Sequence, residues 1–468
     1  MEVASRPEQI NVPFGSMPML PISAVFQNNQ VLNRQFIDVV GFTPSQLAVA
    51  RNNYERLEYG MTQLTWWTVG LTIPLILERY FNKRYAGNIR QKFSDKLGYR
   101  WKEPPKPVLE GNPSVFRKTA HWIGNLGRRS PLNVPFELLL KDVAKSIEPE
   151  KAATLAKQVG LKSGEDLTKL LQDPAFVKSV RQAKLGIVAA DLFLLFMSDQ
   201  FAMWAKNFLT HHLSGRAGFS GEFDYTSKEY LEEKSQGYEE NKFKRLFKSL
   251  GLGLVGGVAA LPLLLRWGLT GKSGGAVKKA FNKHVLPAFN YNNSIFMSRW
   301  VLLWGSFFNF ILAGAFSARD GDELRERLIK SSTVMFMYVA GDAVFSGLIA
   351  KGVQHKNKPL LEKAGVALYR KGKFGIPIPA SLQAIAEKVG NQHHAYKMAR
   401  RGYWASMLLG AGLAGTVVPL LNNWYTRQKV LAERFAFHLP VAQQTAGSGY
   451  MPLKRYDPFE QRAITLPS

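Results

Sequence analysis

The sequence predicts an all-α, polytopic helical membrane protein with about six transmembrane helices and a small extramembrane helical bundle. Three observations predict it. First, six stretches contain no Lys or Arg: 61–77, 185–205, 249–265, 300–317, 331–350 and 402–424. The chain has 61 Lys and Arg in 468 residues, and all of them lie outside these stretches. Second, the stretches are 17 to 23 residues long, and crossing the hydrocarbon takes about 17–25 mostly apolar residues in a helix. A soluble core helix turns one face to water and has no reason to exclude cations so completely. Third, the net charge of the connections alternates. Residues 78–184, 266–299 and 351–401 carry +11, +6 and +9, whereas 1–60, 206–248, 318–330 and 425–468 carry −1, +1, 0 and +3. Six crossings with the cationic loops on one side produce that alternation.

The resulting organisation is an N-terminal, non-cytoplasmic tail (1–60), then a first span (61–77). A basic cytoplasmic-side loop (78–184) with a helical bundle leads to the second span (185–205). The loop 206–248 precedes the third span (249–265), and the basic loop 266–299 precedes the fourth (300–317). A short loop (318–330), the fifth span (331–350), the basic loop 351–401, the sixth span (402–424) and a C-terminal tail (425–468) follow. The formal net charge of +26 then sits on one membrane face, where anionic headgroups attract it. Nucleic acid is not needed to explain the basicity, and no nucleic-acid partner is expected. The expected location is a bacterial inner membrane or an organellar membrane, with other membrane subunits as possible partners.

Local patterns fill in the connections. Gln46 to Tyr59 reads as a short polar helix started by Pro44 and Ser45. Pro135 to Leu140 opens a helix, Ala152 to Ala156 lies within a second, and Ser163 with Glu165 and Asp166 carries the hydroxyl cap and first-turn acids of a third. A short amphipathic helix is expected over 228–247 and another helix over 380–389. Asp320-Gly321-Asp322-Glu323 is an acidic turn that caps a helix beginning near Glu323, with Arg325 and Arg327 as partners. Pro262-Leu263-Leu264 with Trp267 and Pro419-Leu420-Leu421 with Trp424 suggest a three-plus-three inverted repeat, as in many transporters.

Candidate chemistry is sparse. The chain has no Cys, which removes disulfides, thiolate metal sites and cysteine nucleophiles. Gly271-Lys272-Ser273 lacks the Gly of a phosphate loop, because Arg266 occupies that position. The pairs His211-His212 and His393-His394 lack the further histidine that a metal box requires. No catalytic residue, metal site or cofactor is expected, and the chain does not read as an enzyme. What stands out is three acids inside the charge-poor stretches: Asp191, Asp199 and Asp342. Intramembrane carboxylates are costly and face the bundle interior or a wet cavity. They predict a transporter or channel-like protein with aspartates lining a polar path. The alternative is a structural or assembly subunit of a membrane complex. The small pairs Gly253/Gly257 and Ala411/Gly415 allow close helix contact, read as packing within the chain ahead of dimerisation.

Overall fold

The computed structural model describes residues 22–437, apart from 29–32, 34–35, 66, 69–72, 104–111, 126–128, 141–146, 271–274, 291–298, 338–340 and 373–374. The protein is predominantly helical. A two-stranded antiparallel ribbon pairs Tyr369–Lys371 with Pro377–Pro379, Tyr369 opposite Pro379.

Three helices are long and apolar enough to cross a membrane: Pro174–Ser214, Lys228–Leu269 and His394–Ala432. They contain the stretches 185–205, 249–265 and 402–424. Leu303–Ser317 is a shorter apolar helix within the stretch 300–317. The stretches 61–77 and 331–350 include residues 66, 69–72 and 338–340, which lie outside the described residues. Helix flanks both gaps, with Asn53–Thr65 and Ile73–Phe81 around one and Gly321–Phe336 and Asp342–Lys356 around the other.

Side-chain contacts fix how these helices run. Asn53–Thr65 and Gly87–Leu97 lie antiparallel to Pro174–Ser214, since Glu58 meets Lys206 and Phe93 meets Phe176 at a 5.2 Å ring separation. Lys228–Leu269 runs back along that helix, with Gln200 bonded to Ser249 and Arg181 donating to the Leu269 carbonyl. The helix from Arg299 to Ser317 returns beside it. There Trp304 Nε1 donates to the Gly256 and Gly257 carbonyls at 3.0 and 3.2 Å. Those carbonyls belong to a π-helical segment, Gly253–Ala259, whose widened turn leaves acceptors open to a neighbour. Gly321–Phe336 and Asp342–Lys356 then descend, and His394–Gly412 rises beside them, with Ser406 bonded to Ser346. Pro174–Ser214 is the central element: 56% of its most apolar window is buried, against 28% and 39% for the other two long helices.

The cationic connections gather at one end. Pro149–Val159 and Gly164–Leu171 pack on each other and share a core with Phe93, Trp101 and Phe176. Ser163 caps the second of them, as its position predicts. Asn290, from the loop after Leu269, accepts from the Phe136 backbone and donates to Glu137. Ile22–Asn28 joins the same end, where Ser23 bonds Tyr396 and Gln27 bonds the backbone of Ala380 and Leu382. From there the chain runs parallel to the His394–Gly412 helix. Phe36 packs on Trp404, and Gly41 meets Ala411 so closely that a Cβ on Gly41 would lie 2.4 Å from the Ala411 Cβ.

Three local expectations change. Gln46 to Tyr59 is not one helix: Thr43–Val49 ends at Ala50, which is extended, and Asn53–Thr65 begins anew. The Asn52 side chain accepts from the Glu55 N–H, which supplies the new start. Pro135 to Leu140 closes only a 3-10 turn, Phe136–Leu139. The helix expected over 228–247 instead continues without a break into the apolar helix, to Leu269. The small pairs are used inside the chain, because Gly253 faces Phe196, Gly257 faces Phe308 and Gly415 faces Phe42.

Candidate functional site

At the opposite end from the cationic loops, four low-charge connections converge. The site begins with one short motif that the chain uses twice: Ala50-Arg51-Asn52 followed by Glu55 and Glu58, and Ala318-Arg319-Asp320 followed by Glu323 and Glu326. Each lies in a tight helix-to-helix corner. Ala50 sits at φ −61, ψ 134 and Ala318 at φ −65, ψ 132. The extended Ala swings the arginine across the start of the next helix. The Arg51 N–H donates to Glu55 Oε2 at 2.6 Å, and the Arg319 N–H to Glu323 Oε2 at 2.7 Å. The guanidinium then closes a fork on the same glutamate, Arg51 on Glu55 and Arg319 on Glu323.

The second glutamate of each motif is exchanged. Arg51 holds Glu326 through Nη1 and Nη2, both at 3.0 Å. Arg319 holds Glu58 through Nη1 at 2.9 Å and Nη2 at 3.1 Å. Planar guanidinium suits this double engagement, and Lys cannot reproduce it. The contacts read the same when the two hairpins are interchanged. Two further residues obey the rule. Asn207 donates to the Ser317 carbonyl at 2.7 Å, and Asn423 to the Val49 carbonyl at 2.8 Å. Each of these carbonyls belongs to the last helical residue before the corner alanine. Phe219, from the loop after Ser214, sits over both arginines, 4.9 Å from Arg51 Cζ and 5.9 Å from Arg319 Cζ.

The charges are taken out of water, which is costly unless the geometry satisfies them. Burial alone would lower the Arg51 pKa, but Glu55 and Glu326 more than reverse this and raise it. Burial would raise that of Glu323, but Arg319 and Arg327 hold its carboxylate well below the usual range. An outer group flanks the clasp. Glu222 accepts twice from Lys234, at 2.7 and 2.9 Å, and Asp322 accepts from Lys234 and Lys429. Burial, then the neighbouring Asp320 charge, push the Glu222 carboxyl up to about 7 despite Lys234. Asp320 caps the Gly321–Phe336 helix through the Asp322 and Glu323 N–H groups, as its sequence position predicts.

Beneath the clasp lies a cavity of about 110 Å³. Both hairpins line it at matched positions: Glu55 and Glu323, Glu58 and Glu326. Lys206, Asp199 and Lys330 also reach its wall. Of the three acids in the Lys- and Arg-free stretches, Asp199 therefore lines the cavity. Asp191 is fully buried in the same helix, about 12 Å further along by helix rise. Asp342 opens the Asp342–Lys356 helix, and its side chain lies outside the described residues. The structure thus brings Asp199 to a site whose main members were not expected. Among the described residues no three His, Asp or Glu side chains gather as a metal would need. His393 caps a helix by accepting from the Ala395 N–H, and His211 lies 3.2 Å from the Arg216 carbonyl.

The sequence signal for the clasp is the repeated Ala-Arg-[Asn/Asp]-x-x-Glu-x-x-Glu. It relates hairpins that run in the same direction. The Pro-Leu-Leu copies instead lie in helices of opposite direction. No protein-family model matches the chain, and no curated protein or solved structure is detectably similar to it.

Proposed function

We propose that the chain is a multi-pass membrane protein that admits a small polar solute to the cavity beneath the Arg–Glu clasp, as part of a transport path. The observation that carries the reading is the cavity itself, walled by matched residues of two like-directed hairpins. Transporters built from parallel repeats place their substrate between the repeats. The clasp would then close the cavity on the less basic face, and Asp199 followed by Asp191 would continue the polar path. Asp342 would be a further member.

Several features support the membrane reading. The six Lys- and Arg-free stretches would each turn one end toward the clasp side, marked by Glu58, Lys206, Ser249, Ser317, Lys330 and Thr426. Phe201, Val255, Leu263, Leu348, Leu408 and Leu421 project outward from them, which suits lipid and not water. Exposed Trp267 and Trp300 flank one end, and Trp424 and Tyr425 the other, as interfacial aromatics do. Ile22–Asn28 docks at the basic side, and 36–49 would run from that side along the His394–Gly412 helix toward the clasp. That side would face the cytoplasm or its organellar equivalent, against anionic headgroups.

The test is uptake of labelled small solutes into liposomes holding the full chain, with Glu58→Gln/Glu326→Gln as the open-clasp variant. Altered flux through that variant supports the reading. No solute-dependent flux in either form counts against it. Single cysteines at Lys228 and Glu362, introduced into this cysteine-free chain, should label from opposite faces. A second reading, a structural or assembly subunit, is favoured by Val115, Val277 and Leu360, apolar side chains exposed at the basic end. Co-purification of a stoichiometric partner in mild detergent supports it.

A further inference from the structure

We infer that the cavity beneath the clasp takes a solute bearing a carboxylate, held by the ammonium groups of Lys330 and Lys206. This deepens the reading of the cavity as a solute site and rests on it.

The inference follows from which charges are already committed. Arg51 and Arg319 each straddle two glutamates, Glu55 with Glu326 and Glu58 with Glu323. Glu55 also accepts from Tyr59, Glu326 from Thr426, and Glu323 from Arg327. Glu55, Glu326 and Glu323 therefore have little capacity left for a cationic ligand, whereas Glu58 and, outside the clasp, Asp199 are the other carboxylates on the wall. The lysines are in the opposite condition. Lys330 lines the cavity with its Nζ 3.7 Å from the centre of the Tyr59 ring. Among the described residues no carboxylate reaches Lys330 at ion-pair distance, and none of its three N–H groups is hydrogen-bonded. Lys206 has a single 3.5 Å approach to Glu58, with no hydrogen bond among the described residues. An ammonium group offers three donors, and a desolvated one without acceptors is costly. A ligand oxyanion entering between Lys330 and Lys206 would fill those vacancies. Asn422 and Gln63 add amide groups to the same wall. The Lys330 Nζ itself lies over the Tyr59 ring, a cation–π contact that holds the ammonium group in the cavity wall without using a hydrogen-bond acceptor. The size favours a small ligand, since about 110 Å³ holds a few waters or a short organic acid.

The test uses the full chain in detergent, with thermal unfolding and calorimetric titration at constant ionic strength. Sodium acetate, glycine, inorganic phosphate and ethylammonium chloride are compared with sodium chloride. Wild type should be stabilised saturably by acetate or glycine, and not by ethylammonium. Acetate alone would mark an anion site; glycine alone would mark a zwitterion site that also uses a wall carboxylate. Lys330→Met and Lys206→Met should each weaken the response at least tenfold. Lys330→Met should melt no lower than wild type in chloride, because it removes an unmatched charge. Should a methionine variant fail to fold, Lys330→Arg, which keeps the charge, should keep the response. Three results would overturn the inference: no response of wild type to any carboxylate, a response to phosphate alone, or a full response in Lys330→Met. Binding without flux would leave this inference standing and remove only the transport reading.

Discussion

Glu326→Gln is the most informative single change to the clasp. It keeps side-chain shape and removes one negative charge. Arg51 would lose a two-pronged partner, with both N–O distances at 3.0 Å, and keep only Glu55. Thr426 can keep the remaining amide oxygen as its acceptor, but the amide NH2 would then face the Arg51 donors. The Arg51 and Glu326 side chains are 4% and 8% exposed, so water cannot replace the lost contact. Removing one member of a buried ion pair costs about 3–5 kcal/mol. Exposed pairs are worth about 0–1 kcal/mol, so Glu362→Gln, beside Lys358 and 67% exposed, is the control. The mirrored geometry adds a stricter demand. Glu58→Gln strips Arg319 in the same way and should cost the same within about 1 kcal/mol. Reversible unfolding in mixed micelles, followed by tryptophan fluorescence, would report all three. If Glu326→Gln matches Glu362→Gln, the pairing contributes no stability. If Glu326→Gln and Glu58→Gln differ severalfold, the reciprocity is not energetic.

Two further outcomes can be checked on the same preparation. The raised Glu222 pKa means that the folded state keeps a proton which the unfolded chain releases near its ordinary value of 4.5. The associated stability is therefore fully present below about pH 4.5 and lost as pH rises through about 7, an effect of up to about 3 kcal/mol. Glu222→Gln should flatten that slope between pH 5 and 8, and an unchanged slope would assign the pH dependence to other groups. Gly253→Ala should destabilise by about 1–3 kcal/mol through overpacking, since its new Cβ would lie 1.8 Å from the Phe196 ring. Gly186→Ala meets nothing within 4 Å and should gain about 0.5–1 kcal/mol of helix propensity; equal melting of the two variants would contradict the packing described here.

Much of the architecture is readable before any coordinates. Absence of Lys and Arg marks the helices that turn apolar side chains outward, because that constraint acts on every residue of a stretch. The Ser163 and Asp320 caps are equally legible, since a cap depends on three or four consecutive residues. The clasp is not. Arg51 and Glu55, or Arg319 and Glu323, look like ordinary i,i+4 surface pairs, and a polar helix ahead of an apolar one resembles a solvated lead-in. Only the second hairpin, far along the chain, buries the first and exchanges its glutamate. Asp199 stood out because an acid in an apolar stretch is conspicuous, whereas Glu58 and Lys330 lie just past the ends of such stretches and pass as boundary residues.

The exchange of Glu58 and Glu326 has a consequence for biosynthesis. When the first corner leaves the ribosome, Arg51 can claim Glu55 at once, but Glu58 has no guanidinium until Arg319 has been made. Until then Glu58 has only Lys206, at 3.5 Å, and the late half arrives with the missing guanidinium and an acid of its own. Completion of the second corner balances both at once, because neither corner has its second glutamate–guanidinium pair without the other.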